Sequence, residues 1–86
     1  MNFLRLPAVR ALLGNIAETT LRDHIREGLF PPPVRHRGVS FWVATEVERT
    51  QMAIVLGYSD KDLKAFVQKL IADRPRLFVK LGDSHD

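Results

Sequence analysis

The sequence predicts one small domain, mainly α-helical, with four helices and a β-hairpin between the second and the third. Three observations carry this expectation. A chain of 86 residues hides only about 60% of its unfolded surface, enough for a single core and not for two. Apolar residues recur at three- and four-residue spacing in four stretches that Gly or Pro residues separate. Between the second and third of these, Pro31-Pro32-Pro33 interrupts the helical pattern and β-favouring residues follow.

Leu6-Pro7 followed by Val9, Leu12 and Leu13 predicts a short first helix. Pro7 is expected at its first helical position, where a missing N–H costs nothing, and Gly14-Asn15 ends it. In the second helix Ile16, Leu21 and Ile25 share one side up to Gly28, while Thr19, Arg22, Asp23 and Arg26 lie on the other. Two short helices joined by a Gly-containing turn form a helix-turn-helix unit. The three prolines force an extended exit. Val34-Arg35 and Phe41-Trp42-Val43 then predict a two-stranded hairpin with His36-Arg37-Gly38 at its tip. Thr45 is the expected N-cap of a third helix whose apolar surface is Val47, Met52, Ile54, Val55 and Leu56, closed by Gly57. Ser59 caps a fourth helix, in which Leu63, Phe66, Val67, Leu70 and Ile71 repeat at core spacing against the first and third helices. Pro75 is expected to stop it, which gives a domain over residues 1–74 and a C-terminal tail over residues 75–86.

Hydrophobic residues at 45% and charged residues at 27% are ordinary for a folded domain. With no Cys in the chain, disulfides, thiolate metal sites and Cys nucleophiles are excluded, and a reducing, cytoplasmic setting is expected. No apolar run is long enough for a membrane span or a secretory signal. Thirteen Lys and Arg face ten Asp and Glu, a net +3; without Asp83 and Asp86 the balance is thirteen against eight, or +5. That excess points toward polyanionic partners.

Three passages resemble one superfamily. Thr20-Leu21-Arg22 through Gly28-Leu29-Phe30-Pro31 is similar to the "TLRxxxxxGLxP" passage of MerR-type regulators, and Leu56-Gly57-Tyr58-Ser59-Asp60-Lys61-Asp62-Leu63 is similar to their "LGFSLEEI". Phe30-Pro31-Pro32-Pro33-Val34-Arg35, then Trp42, then Glu46-Val47, resembles "FPxPVxL…W…xEVExW" of AlpA-type phage regulators and excisionase-like proteins. The resemblance spans residues 5 to about 72. It implies a winged helix-turn-helix fold of MerR-like type that binds double-stranded DNA, with the second helix in a major groove and the hairpin as a wing on the backbone or minor groove. Ala17 and Glu18 stand where the family often has Ser and Arg, and Asp23 where MerR-type proteins often have Tyr. The long dimerising helix and effector domain of MerR-type regulators are not expected beyond Pro75, so neither is a metal or small-molecule sensor.

On this expectation Thr19, Thr20, Arg22, Asp23 and Arg26 are the recognition-helix residues, because an Arg can donate two bonds to a guanine edge. The blander alternative is a solvated helix face, and for Asp23 a local pair with Arg26 at i+3 is preferred over a base contact. Arg35, His36 and Arg37 form the wing cluster, against the alternative of a solvated hairpin tip. Arg5 and Arg10 are candidate phosphate contacts. Trp42 and Phe41 are expected to anchor the hairpin on the helices rather than to stack on bases. His24 is expected half-buried, and three scattered His without Cys predict no metal site. No catalytic constellation or cofactor motif is present, so no enzyme and no cofactor are predicted.

The expected partner is therefore double-stranded DNA. One module covers only about 600 to 1,000 Å² of it, so a homodimer or a head-to-tail assembly on DNA is also expected. Transcription regulation of phage or mobile-element type leads; an excisionase-like directionality factor is the nearest rival, and a protein-interaction module on the same scaffold is the rival of another class. The tail Leu77-Phe78-Val79-Lys80-Leu81 is expected either to contact a protein partner or to fold back as a strand or loop.

Overall fold

A computed structural model describes residues 2–83, and the side chains of residues 2–75. The element order is β1 (Phe3–Leu4), α1 (Leu6–Leu12), α2 (Glu18–Arg26), β2 (Val34–His36), β3 (Val39–Val43), α3 (Ala44–Val55) and α4 (Asp60–Asp83). The described residues thus form four helices and a small antiparallel sheet of order β1-β3-β2. The hairpin is joined by a third strand that two apolar residues were too short to announce: Phe3 pairs with Val43 and Leu4 with Trp42. In the hairpin itself Val34 faces Phe41, Arg35 faces Ser40 and His36 faces Val39, so Arg37-Gly38 is a two-residue turn.

Both turn residues have positive φ, 52° at Arg37 and 80° at Gly38. This matches the tight turn whose twist suits an antiparallel pair, and it is why a glycine is needed at position 38. Gly28, at φ 80°, ends α2 in the same left-handed region: the N–H of Leu29 reaches the His24 carbonyl at 2.9 Å and that of Gly28 the Ile25 carbonyl at 3.1 Å. These are the two bonds that close a helix before an extended exit.

The core consists of Val9 from α1, Leu21 from α2, Phe30, Trp42 from β3 and Val47 from α3. Leu4, Leu6, Leu13, Ile16 and Ile25 pack around it. Trp42 is buried, and its indole N–H donates to the Pro31 carbonyl at 3.1 Å, fixing β3 against the proline run. Phe41 packs on Phe3 with ring centroids 4.6 Å apart. Trp42 thus anchors the hairpin on the helices as expected, whereas Phe41 packs on Phe3 of β1 and not on a helix.

Several expectations about α3 and α4 are corrected. Thr45 does not cap α3; Val43 occupies that place with no side-chain cap. The strand runs straight into the helix at Val43, which puts Thr45 inside the first turn and past the capping position; the first helical N–H, that of Ala44, donates to the Asn2 carbonyl at 2.9 Å. The buried face of α3 is Ala44, Glu46, Val47, Thr50 and Ala53, while Met52, Ile54, Val55 and Leu56 are exposed. A run of apolar residues wraps around a helix and cannot all face one side, and small residues let α3 lie close to α4, whose Leu63, Val67 and Leu70 are buried. Ile71 of the expected stripe is exposed.

Pro75 does not end α4, which continues to Asp83. The backbone of the tail to that point is therefore helical, not a strand or loop, and the side chains of Leu77, Phe78, Val79 and Leu81 lie outside the described residues. Arg74, the residue that the proline would push toward extended geometry, is tied down on both sides. Its Nε and one Nη donate to the Glu46 carboxylate at 2.8 and 2.6 Å, and that Nη also to the Pro32 carbonyl at 2.9 Å. The hydrogen bond it donates to Glu46 holds the guanidinium above its ordinary pKa despite the opposing effect of burial. Ser59 does cap α4, its Oγ accepting from the N–H of Asp62 at 3.2 Å. Among the described residues no helix is long and apolar enough to cross a membrane.

Candidate nucleic-acid interface

The polar side of α2 is exposed because Leu21 and Ile25 take the other side into the core. Thr19, Thr20, Arg22, Asp23 and Arg26 all reach solvent together, as the spacing predicted. The two arginines are already engaged along the helix. Arg22 Nε donates to Glu18 Oε2 at 3.0 Å, and an Nη of Arg26 pairs with Asp23. The second pair follows the i+3 expectation. The first was readable from the i, i+4 spacing of Glu18 and Arg22. With 68% and 76% of the arginine side chains exposed, such pairs are worth at most about 1 kcal/mol and yield readily to a stronger anion.

The hairpin stands beside this face. Leu6, Leu21, Arg22, Ile25 and Arg26 on one side and Pro33, Ser40 and Trp42 on the other enclose a cleft of about 240 Å³. Cross-strand partners share a face of a sheet, so Arg35, opposite Ser40, is placed on the cleft side. Arg35, His36 and Arg37 are exposed, and Arg37 forms the tip. A non-glycine residue at positive φ is held in a backbone region that costs about 1 kcal/mol or more. The fold thus carries a permanent cation at a position where Asn, Asp or Gly is the usual occupant.

Of the two candidate phosphate contacts, Arg5 is exposed and immediately precedes Leu6 of the cleft. Arg10 is turned inward: its Nε donates to the Ile16 carbonyl at 2.8 Å and fastens the turn between α1 and α2. A carbonyl left over at the helix-to-helix turn gave it a nearer acceptor than any external phosphate. His24 is half-buried on the far flank of α2. Among the described residues no group of three His, Asp or Glu side chains converges on a point that could hold a metal ion.

Chemically, the exposed residues offer five guanidinium groups, those of Arg5, Arg22, Arg26, Arg35 and Arg37, together with the Thr19 and Thr20 hydroxyls, and Arg22 and Arg26 border the apolar cleft. Ser40, Leu6 and Pro33 belong to the site and went unnoticed in the sequence, since only the strand register and the start of α1 bring them there. Comparison with family models, with curated proteins and with solved structures gives no match.

Proposed function

We propose that this chain is a sequence-specific double-stranded DNA-binding protein with a winged helix-turn-helix architecture of MerR-like, AlpA-type character, acting as a transcriptional regulator of phage or mobile-element type. The observation that carries the proposal is the exposed Thr and Arg face of α2 set beside a hairpin whose tip holds Arg37 at positive φ. An α-helix of this kind fits a major groove, and a basic two-stranded ribbon suits the backbone or minor groove next to it. Phosphates can displace Glu18 and Asp23 from their arginines, because both pairs are solvent-exposed. The excisionase-like role uses the same surface and would show itself in clustered, directly repeated sites.

The test is selection of bound duplexes from a random pool, followed by a salt titration on the selected site. About five phosphate contacts give an expected slope of log K against log salt of about −4.5. A flat salt response at measurable affinity removes the proposal. Arg22→Ala should cost about 1 to 3 kcal/mol on the selected site and much less on random duplex, as expected for a bidentate base contact. Arg37→Asn should behave differently. It should weaken both duplexes alike and lower the slope by about one, while the melting temperature stays level or rises because the turn then carries the favoured Asn-Gly pair. Parallel losses for both variants would mean that helix and hairpin do not divide base reading from backbone contact.

One observation favours the protein-interaction reading. Glu18 and Asp23 neutralise the two arginines of α2, and Met52, Val55 and Leu56 present exposed apolar surface on α3. If no duplex is selected, or if Arg22→Ala and Arg37→Asn both leave binding to the selected site unchanged, that reading replaces the first.

A further inference from the structure

The cleft between α2 and the hairpin has the build of a small-ligand site. Its walls are Leu6, Leu21, Ile25, Pro33 and Trp42, and its polar groups are the Ser40 hydroxyl and the guanidinium groups of Arg22 and Arg26. Apolar walls with a few convergent polar groups are what small-molecule sites share. The volume of about 240 Å³ lies just below the range of about 300 to 1,000 Å³ for drug-sized ligands, which limits the occupant to one ring or a short alkyl chain.

The two arginines decide the rest of the ligand. They stand at i and i+4, one turn apart on the same face of α2, with about 6 Å between their Cβ atoms, so that both forks reach a single head group at the mouth of the cleft. Glu18 takes the Nε of Arg22 and Asp23 one Nη of Arg26, which leaves further guanidinium N–H donors, since each group has five. The planar fork matches a carboxylate. We infer that the cleft binds a small amphipathic carboxylate, with its ring or alkyl chain against Leu6, Ile25 and Trp42 and its head group between Arg22 and Arg26. The inference goes beyond DNA binding and does not depend on it. Where α2 does bind a duplex, ligand and DNA compete for the same two side chains, and each weakens the other by the same factor.

The chain holds a single Trp, so the Trp42 indole N–H, bonded to the Pro31 carbonyl, is a unique nuclear magnetic resonance probe on a residue that lines the cleft. The experiment titrates the full chain, without DNA, with sodium benzoate and in parallel with benzyl alcohol as the neutral analogue. The expected result is a saturable shift of the Trp42 indole and of the Ile25 and Ser40 amides, with a benzoate dissociation constant of about 1 mM or tighter. Benzyl alcohol should bind at least about ten-fold more weakly, and the double variant Arg22→Gln, Arg26→Gln should reduce benzoate to the level of the alcohol. Both substitutions lie at exposed positions and should leave the spectrum otherwise unchanged. The inference is overturned if benzoate shifts grow linearly without saturation, if both probes bind alike, or if the shifts centre on Met52 and Val55. Because no duplex is present, failure to select a DNA site leaves this result standing, and the reverse also holds.

Discussion

Replacing Trp42 by alanine is expected to lower the unfolding free energy by about 3 to 5 kcal/mol, the cost of truncating a large buried aromatic. Trp42 is 5% exposed and sits in the core with Val9, Leu21, Phe30 and Val47, so its removal takes packing from α1, α2, β3 and α3 at once. It also leaves the buried Pro31 carbonyl without the indole donor at 3.1 Å. A domain of this kind is stable by only about 5 to 15 kcal/mol in total, so the variant should lose most of its margin. Trp42→Phe keeps much of the volume and should cost less, about 1 to 3 kcal/mol, with the lost hydrogen bond a main part. Urea unfolding followed by circular dichroism measures both without relying on indole fluorescence. An unchanged midpoint in Trp42→Ala together with lost DNA binding would contradict the anchoring role and support base stacking instead.

The role of Trp42 was legible in the sequence because it needs only local facts: a strand-favouring run, a preceding proline stretch and the burial tendency of aromatics. The helical faces of α1 and α2, the Gly28 stop, the hairpin and the exposed α2 residues were legible for the same reason. What failed depended on contacts distant along the chain. Thr45 is a good cap by residue type, but β3, paired with β1, passes directly into α3 at Val43 and leaves Thr45 inside the first turn. Arg10 was counted with the other cations until the turn brought the Ile16 carbonyl to it. On α3 the apolar residues are the exposed ones and Glu46 is buried, a reversal that makes sense only once Arg74, 28 positions later, supplies the counter-charge. The same contact lies next to Pro75. Sequence rules about the residue before a proline describe backbone preference and take no account of a side chain bonded to Glu46 and Pro32, as that of Arg74 is.

Arg74→Ala is accordingly expected to cost about 3 kcal/mol. Removing one member of a buried pair leaves the other as an uncompensated charge, with losses of about 3 to 5 kcal/mol, and the quarter-exposed Arg74 side chain puts this case at the lower end. Glu46, 6% exposed on its side chain, would lose both guanidinium donors, and the Pro32 carbonyl would lose its one. The double variant Glu46→Leu, Arg74→Met removes the charge with the pair and should be distinctly more stable than Arg74→Ala. Hydrogen exchange separates the structural consequences. If this pair is what carries α4 through the proline, amides at positions 76–83 should exchange faster in Arg74→Ala, while those of α4 around Leu63 and Val67 change only as global stability does. Unchanged protection beyond Pro75 in a variant that has lost stability would show that the pair fastens α3 to α4 without holding the last two turns. The tie to Pro32 gives the experiment a functional edge, because Pro32 and Pro33 lead into β2 and its arginines. Loosening the start of the hairpin should raise exchange at the cross-strand amides of Val34 and Phe41 along with the end of α4, and the two regions would then be a single unit fastened at Arg74.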